Sequence, residues 1–331
     1  MNTKFSDLSS NSIETTNGKT DFFYEDVIHG LQANPKRLDS KYFYDAAGDK
    51  LFREIMNCPE YYLTNAELEI FSEKTAELVA AINSHGAGFD LIELGAGDAM
   101  KSTYLLNELL KQQIDFRYVP IDISANVIKN LNHNLPQVLP KLKITGLNGE
   151  YFEMLAQATS LSNKRKVVLF LGSNIGNMPI HEATEFCKNL RNHLSEGDYV
   201  LVGMDLKKNP KTILSAYNDR GGITKRFNLN LLERINNELN ADFLISQFDH
   251  YATYDPESGA CKSYLISLED QTVQIGEKQV HFAKNEHIFM EISQKFSFGQ
   301  IEELARNSGF KLMNQLFDSK KWFTDVIWSA G

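Results

Sequence analysis

Apolar residues recur along this chain with two periods, and the switches between them lay out its elements. From Thr64 onward, Leu68, Phe71, Leu78 and Ile82 fall at helical spacing, and Thr64-x-x-Glu67 has the form of a capping box. One long amphipathic helix is predicted there. Short apolar runs then alternate with helical stretches. Strands are predicted over residues 89–94, 117–121, 166–171 and 198–203, with a short one near 143–146. Helices are predicted around 105–110, after Ser124 as N-cap, and around 182–194. Such alternation implies a parallel sheet with helices on both faces. A helix over 301–307, stopped by Gly309, then leads into strands over 310–317 and 323–328 across a polar turn at 318–321. Between Asp205 and Ser293 the pattern differs, with helices over 211–217 and 228–239 and strand-like segments at 263–268 and 281–282. That stretch is too long for a loop and predicts a second lobe.

Composition narrows the class. The 331 residues are 42% hydrophobic and 23% charged, which fits a globular chain of about two domains. A formal charge of -9 and a pI near 5.5 argue against a nucleic-acid partner, which needs a concentrated basic surface. Cys58, Cys187 and Cys261 are odd in number and far apart, suggesting neither a disulfide framework nor a zinc site. No histidine pair has a helical metal-binding spacing, so no metal is expected. Residues 1–20 are rich in Ser, Thr and Asn without an apolar core; they read as a disordered or loosely packed start and not as a signal peptide. No run approaches the roughly 18 apolar residues that span a bilayer. A cytoplasmic protein without a membrane partner is expected.

Candidate chemistry is densest at Leu91-Ile92-Glu93-Leu94-Gly95-Ala96-Gly97-Asp98-Ala99-Met100-Lys101, a strand entering a Gly-x-Gly turn and then a helix. Two glycines let backbone approach a ligand, and the helix start aims N–H groups at it. The third glycine of a dinucleotide fingerprint is replaced by Met100, which disfavours pyrophosphate. Lys101 is a cation at a helix start, unfavourable beside the dipole unless it meets an anion. Glu93 before the turn and Asp122 ending the next strand resemble the class I S-adenosylmethionine methyltransferases, in which the second acid holds the ribose hydroxyls. Gly95, Gly97, Asp122, Glu150 and Gly172 all fall at or just beyond predicted strand ends, on one rim.

Further segments point to a narrower family. They are Lys41-Tyr42-Phe43-Tyr44-Asp45-Ala46-Ala47-Gly48, Pro59-Glu60-Tyr61-Tyr62-Leu63-Thr64, Phe170-Leu171-Gly172-Ser173-Asn174-Ile175-Gly176-Asn177 and Glu291-Ile292-Ser293-Gln294-Lys295-Phe296. With Ala216-Tyr217-Asn218-Asp219 and Phe227-Asn228-Leu229-Asn230, they resemble the histidine-specific Nα-methyltransferases of ergothioneine biosynthesis, from about Phe23 to the C-terminus. The resemblance implies an α/β fold, a class I (Rossmann-like) methyltransferase sheet with a second, α+β substrate-binding lobe. That lobe would comprise residues 21–63 and 206–294, and the S-adenosylmethionine domain residues 64–205 and 295–331. The activity implied is transfer of up to three methyl groups to the α-amine of L-histidine, giving the betaine hercynine, by a monomer; methylation of another amino acid, such as a tryptophan derivative, is the alternative.

By matching motif, the resemblance assigns Gly95, Gly97, Lys101, Asp122, Glu150 and Tyr151 to the cofactor. It assigns Tyr61, Phe52, Gly172, Asn177, Tyr217, Glu291 and Ser293 to the amino acid, with Tyr44 and Asn177 nearest the chemistry. Glu150 stands where family members often carry aspartate. Ser263 stands where the resemblance places a methionine lining the side-chain pocket, which makes that pocket more polar or roomier and leaves the preferred amino acid open. The residue types suit the reaction. Asn177 can donate and accept at once, Tyr217 adds a hydroxyl donor, and Glu291 with Ser293, two apart on a strand, can reach both nitrogens of an imidazole.

Overall fold

The computed structural model describes residues 15–84, 86 and 88–331. They form two compact units. One runs to Ile55 and adds Arg220–Ala252 and Lys262–Glu291; the other comprises Met56–Asp219, Thr253–Cys261 and Ile292–Gly331. Residues 56–63 and 206–219, expected with the insertion, thus lie in the second unit. The expected loose start covers residues 1–14, outside the described residues, and Thr15 to Thr20, which open the first helix.

In chain order the elements begin with α1 (Thr15–Gln32), β1 (Lys36–Arg37) and α2 (Ala46–Met56). Helices α3 (Tyr62–Glu73) and α4 (Thr75–Ile82) lead into β2 (Phe89–Leu94), α5 (Met100–Lys111), β3 (Phe116–Asp122), α6 (Ala125–Val138), β4 (Leu147–Asn148) and α7 (Tyr151–Ser160). Next come β5 (Arg165–Phe170), α8 (Ile180–Asn192), β6 (Tyr199–Asp205), α9 (Pro210–Ala216) and α10 (Ile223–Leu239). Strands β7 (Phe248–Tyr254), β8 (Ala260–Ser267), β9 (Gln271–Ile275), β10 (Lys278–Phe282) and β11 (His287–Gln294) follow. The chain closes with α11 (Phe298–Asn307), β12 (Phe310–Phe317) and β13 (Phe323–Ala330).

The second unit is built on a seven-stranded sheet of order β12-β13-β6-β5-β2-β3-β4. Strands β6, β5, β2, β3 and β4 run parallel, and β13 is antiparallel to both β6 and β12. This is the mostly parallel sheet, with helices on both faces, that the alternation predicts. Neighbouring residues on one strand point to opposite faces, so Leu91 and Ile92, Tyr118 and Val119, and Val167 and Val168 each divide between two buried apolar clusters. Leu105, Leu106 and Leu109 of α5 cover one cluster, and Leu155, Ala183 and Leu190 of α7 and α8 cover the other. Strand order reverses between β2 and β5, which puts the ligand crevice at the carboxyl ends of these strands. In the first unit β9 and β10 form a hairpin, and β1 pairs in parallel with β11 at Ile288 and Phe289. Among the described residues no helix is long and apolar enough to cross a membrane.

Two local expectations fail for stated reasons. The Thr64-x-x-Glu67 capping box does not form: α3 begins at Tyr62, and the Glu67 carboxylate is used elsewhere. The long helix also divides at Lys74. The short strand near 143–146 contributes only a bridge between Ile144 and Tyr118, and the paired strand is Leu147–Asn148.

Candidate active site

The turn after β2 is shaped by residues in the left-handed region: Gly95 at φ 70°, Gly97 at φ 54° and Ala99 at φ 54°. Gly95 donates its N–H to the Ile121 carbonyl at 2.9 Å, which ties the turn to the end of β3. Gly97 donates its N–H to Asp122 Oδ2 at 3.1 Å, and Asp122 Oδ1 accepts from Ser124 N–H at 2.9 Å. Asp122 is thereby oriented at the strand end. A Cβ on Gly95 would lie 2.8 Å from the Tyr151 hydroxyl, so glycine there makes room for that ring. Burial, with the charges of Asp122 and Glu150 nearby, pushes the Tyr151 hydroxyl up to about 12. It stays a neutral donor. Glu150, exposed, is the residue before α7.

The anion that Lys101 meets is Glu67. This carboxylate is 1% exposed, ion-paired with Lys101, and accepts the Gly172 N–H at 2.9 and 3.0 Å. Burial alone would lower the Lys101 ammonium, but Glu67 outweighs it and holds the group above its ordinary value. Room for Glu67 comes from Gly203 of β6, where a Cβ would overlap the carboxylate oxygen. Asp325 of β13 is fully buried, and among the described residues neither of its oxygens has a hydrogen-bond partner. Burial and the Glu67 charge push it well above the usual carboxylate range.

Gly172, at φ 74°, and Ser173, at φ 57°, turn the chain after β5 into the short 3-10 turn Asn174–Asn177. The Asn174 amide lies near both Gly95 and Gly172, and Asn177 stands exposed at the end of the turn. Ser173 Oγ accepts the Asp205 N–H at 3.2 Å, which pins this loop to the end of β6. Tyr217 caps α9 and stacks edge-on with Tyr61 at 6.1 Å. Its hydroxyl is 2.6 Å from Ser293 Oγ. The structure therefore joins Tyr61, Tyr217 and Ser293 in one group.

In the first unit, Tyr44 packs edge-on against Phe52 at 5.5 Å, and both rings lie 5.9 Å from Phe227. Asp45 orients the segment below them by accepting the Gly48 N–H at 2.6 Å and the Asn230 amide at 2.9 Å. Glu291 accepts a hydrogen bond from Ser263 Oγ at 3.2 Å, and Ser263 is 1% exposed. The serine at the unexpected position is thus a partner of the carboxylate assigned to the side chain.

Four functional candidates escape sequence reading: Glu67, Asn174, Asp205 and Lys295. Glu67 is hidden by its plausible cap signature. Lys295 offers the clearest signal, a lysine one residue before the apolar Phe296 on a run that reads as a strand.

The histidine-specific, S-adenosylmethionine-dependent methyltransferase family matches residues 23–330. The chain is 36% identical over 309 residues to the histidine N-alpha-methyltransferase of Mycolicibacterium smegmatis, covering 92% of each. It is 35% identical over 273 residues to the enzyme of that name from Mycobacterium tuberculosis, covering 82% of this chain and 83% of that one. Ergothioneine biosynthesis protein 1 of Schizosaccharomyces pombe is 28% identical, covering 84% of this chain and 37% of that longer protein. The strand-end rim and the motifs around it thus have their explanation: the chain belongs to the histidine-specific, S-adenosylmethionine-dependent methyltransferase family.

Proposed function

We propose that this chain methylates the α-amine of L-histidine in three successive transfers, with Gly95, Gly97, Lys101, Asp122, Glu150 and Tyr151 on the cofactor side. The Gly-x-Gly turn fits the group: Gly97 leaves open space beside the backbone, and Asp122 is fixed by the Gly97 and Ser124 N–H groups, each oxygen keeping a lone pair for a diol hydroxyl. When bound, S-adenosylmethionine supplies a methyl carbon on a sulfonium, an electrophile that needs no activation by acid or metal. The ammonium of the amino acid must lose a proton, to solvent, before each transfer, and the residues hold the resulting neutral amine in line with that carbon at roughly 3 to 3.5 Å. Asn177 and Tyr217 would orient the carboxylate and amine of the amino acid, with Tyr61 and Gly172 beside them; Phe52 and Tyr44 are assigned to the amino acid by their motif.

The observation that carries the choice of histidine is the Ser263 hydrogen bond to Glu291, with Ser293 two residues further along β11. A carboxylate and hydroxyls on one strand face offer an acceptor for one imidazole N–H and a donor for the other nitrogen. An apolar side chain would offer that carboxylate no N–H donor, so the wall favours an imidazole over an apolar group of similar size. Incubation with S-adenosylmethionine and the standard amino acids, read by mass spectrometry, should yield successive single-methyl steps on histidine alone. Glu291→Ala should weaken histidine binding at least about tenfold while S-adenosylhomocysteine binding changes little. Undiminished histidine turnover by that variant would overturn the reading.

A further inference from the structure

Behind the hydroxyls of Tyr217 and Ser293 lies a lysine that the reaction as described does not use. Lys295 is 0% exposed, and its ammonium donates to the Tyr217 hydroxyl at 2.7 Å, to Ser293 Oγ at 2.8 Å and to Asp205 Oδ2 at 2.7 Å. Three N–H donors meet three acceptors, so the group is saturated. Asp205 is also 0% exposed, pairs with Lys208 as well, and accepts the Tyr62 hydroxyl at 2.7 Å. Burial and the two lysines act in opposite senses on Asp205, and the lysines hold its carboxyl below the usual range. Both carboxylate oxygens are thus committed, Oδ1 to Lys208 and Oδ2 to Lys295 and the Tyr62 hydroxyl.

A buried ion pair is weak evidence for stability, since an apolar side chain of similar volume often serves as well. Here the cation does something an apolar group cannot. A hydroxyl that accepts from an ammonium turns its own proton away from it, and its O–H is polarised into a stronger donor. Tyr217 and Ser293 both accept from the same ammonium. The Asp205 N–H also holds Ser173 Oγ, so one strand end fixes the hydroxyl pair and the loop that carries Gly172 and Asn177.

We propose that Lys295 is a positioning residue for the amino-acid substrate, held by Asp205 and acting through the Tyr217–Ser293 pair: one of these hydroxyls donates to the other, and the ammonium on both leaves the remaining O–H proton aimed at an acceptor atom of the substrate. The inference rests on the reading that these two hydroxyls touch the amino acid.

Lys295→Met removes the charge and all three donors while Asp205 keeps Lys208 and the Tyr62 hydroxyl, so the fold retains a paired carboxylate. Its KM for histidine should rise about 10- to 100-fold, with S-adenosylhomocysteine affinity, measured by calorimetry, within about twofold of the parent. In a Tyr217→Phe/Ser293→Ala background the same substitution should raise KM by less than about threefold, because the groups it acts through are gone. A full, independent loss in that background would overturn the proposal, as would an unchanged histidine KM in Lys295→Met. Should Lys295→Met fail to fold, Lys295→Gln, which keeps a donor and loses the charge, decides by the same readings. If Tyr217→Phe/Ser293→Ala alone leaves the histidine KM unchanged, the placement of the substrate has failed, a result distinct from failure of the lysine's role.

Discussion

Glu93 sits at the end of a fully buried strand, 4% exposed, where an ionised carboxylate has little water to solvate it. Burial pushes it up to about 7, although the hydroxyls of Ser102 and Tyr118, each at 2.5 Å, pull the other way. Its ordinary value is 4.5. Between these two values the folded chain keeps a proton that the unfolded chain has released, so stability falls as pH rises through the window and levels off above about 7. Glu93→Gln cannot titrate. Relative to the parent, its stability should therefore increase between pH 4.5 and 7, by up to about 3 kcal/mol at 1.36 kcal/mol per pH unit. Urea unfolding of both proteins at pH 5 and pH 8 tests this; any constant cost of the lost hydrogen bonds cancels, and a difference that does not move with pH refutes it. The identity of Glu93 was legible from its place before the turn, but its protonation was not, because that depends on Ser102 and Tyr118 arriving from other elements. Glu67 makes the same point more strongly. Its partners are Lys101 and the Gly172 N–H, 34 and 105 positions away, and no local pattern announces them.

At the scale of elements, two identical-looking signatures have opposite outcomes. Thr64-x-x-Glu67 makes no capping box, whereas Ser297-x-x-Gln300 makes a complete one at the start of α11. There Ser297 Oγ accepts from the Gln300 N–H at 3.3 Å and Gln300 Oε1 accepts from the Ser297 N–H at 2.9 Å. Nothing else competes for Gln300 at the exposed end of α11, while the buried Glu67 side chain is claimed by a lysine and a loop. Local signals hold where the tertiary structure makes no rival demand. Ser297→Ala should accordingly cost about 1 kcal/mol in denaturant unfolding, within the roughly 0.5–2 kcal/mol range for lost N-caps. Thr64→Ala should cost less than half of that, and equal losses at the two sites would contradict this account of the helix starts. The parallel strands were legible for the same reason: Phe89–Leu94 and Tyr199–Asp205 are buried throughout, and both are dominated by apolar residues. The loop ends that carry Gly172 and Asn177 follow from strand positions, but the hydroxyl pair of Tyr217 and Ser293 does not, since α9 and β11 are brought together only by the fold.

At the scale of the molecule, the seven-stranded sheet is interrupted in sequence and completed late. The chain leaves it at Asp205 and returns with β13, whose Phe323 pairs with Asp205 and whose Ser329 pairs with Tyr199. Alternation of strands and helices predicted the sheet, and the last two strands were read from their own apolar pattern; residues 206–219, read with the second lobe, group with the sheet. The late return has a consequence for folding. Phe323, Val326, Ile327 and Trp328 are all 0% exposed, so β13 supplies both faces of the core as well as the pairing for β6. A chain ended at residue 291 would keep every parallel strand and the whole Gly-x-Gly turn, yet leave β6 as a long apolar edge with unpaired backbone. Such a chain should retain much of its far-ultraviolet circular dichroism, bind a hydrophobic dye, lose a cooperative unfolding transition, and fail to bind S-adenosylhomocysteine. Adding a peptide of residues 292–331 during refolding should restore binding, at a rate that rises with the peptide concentration. A truncated chain that unfolds cooperatively and binds S-adenosylhomocysteine like the parent would show that the parallel strands alone hold the cofactor rim, and that the closing strands serve only the residues carried on the segment from Ser293 to Phe296.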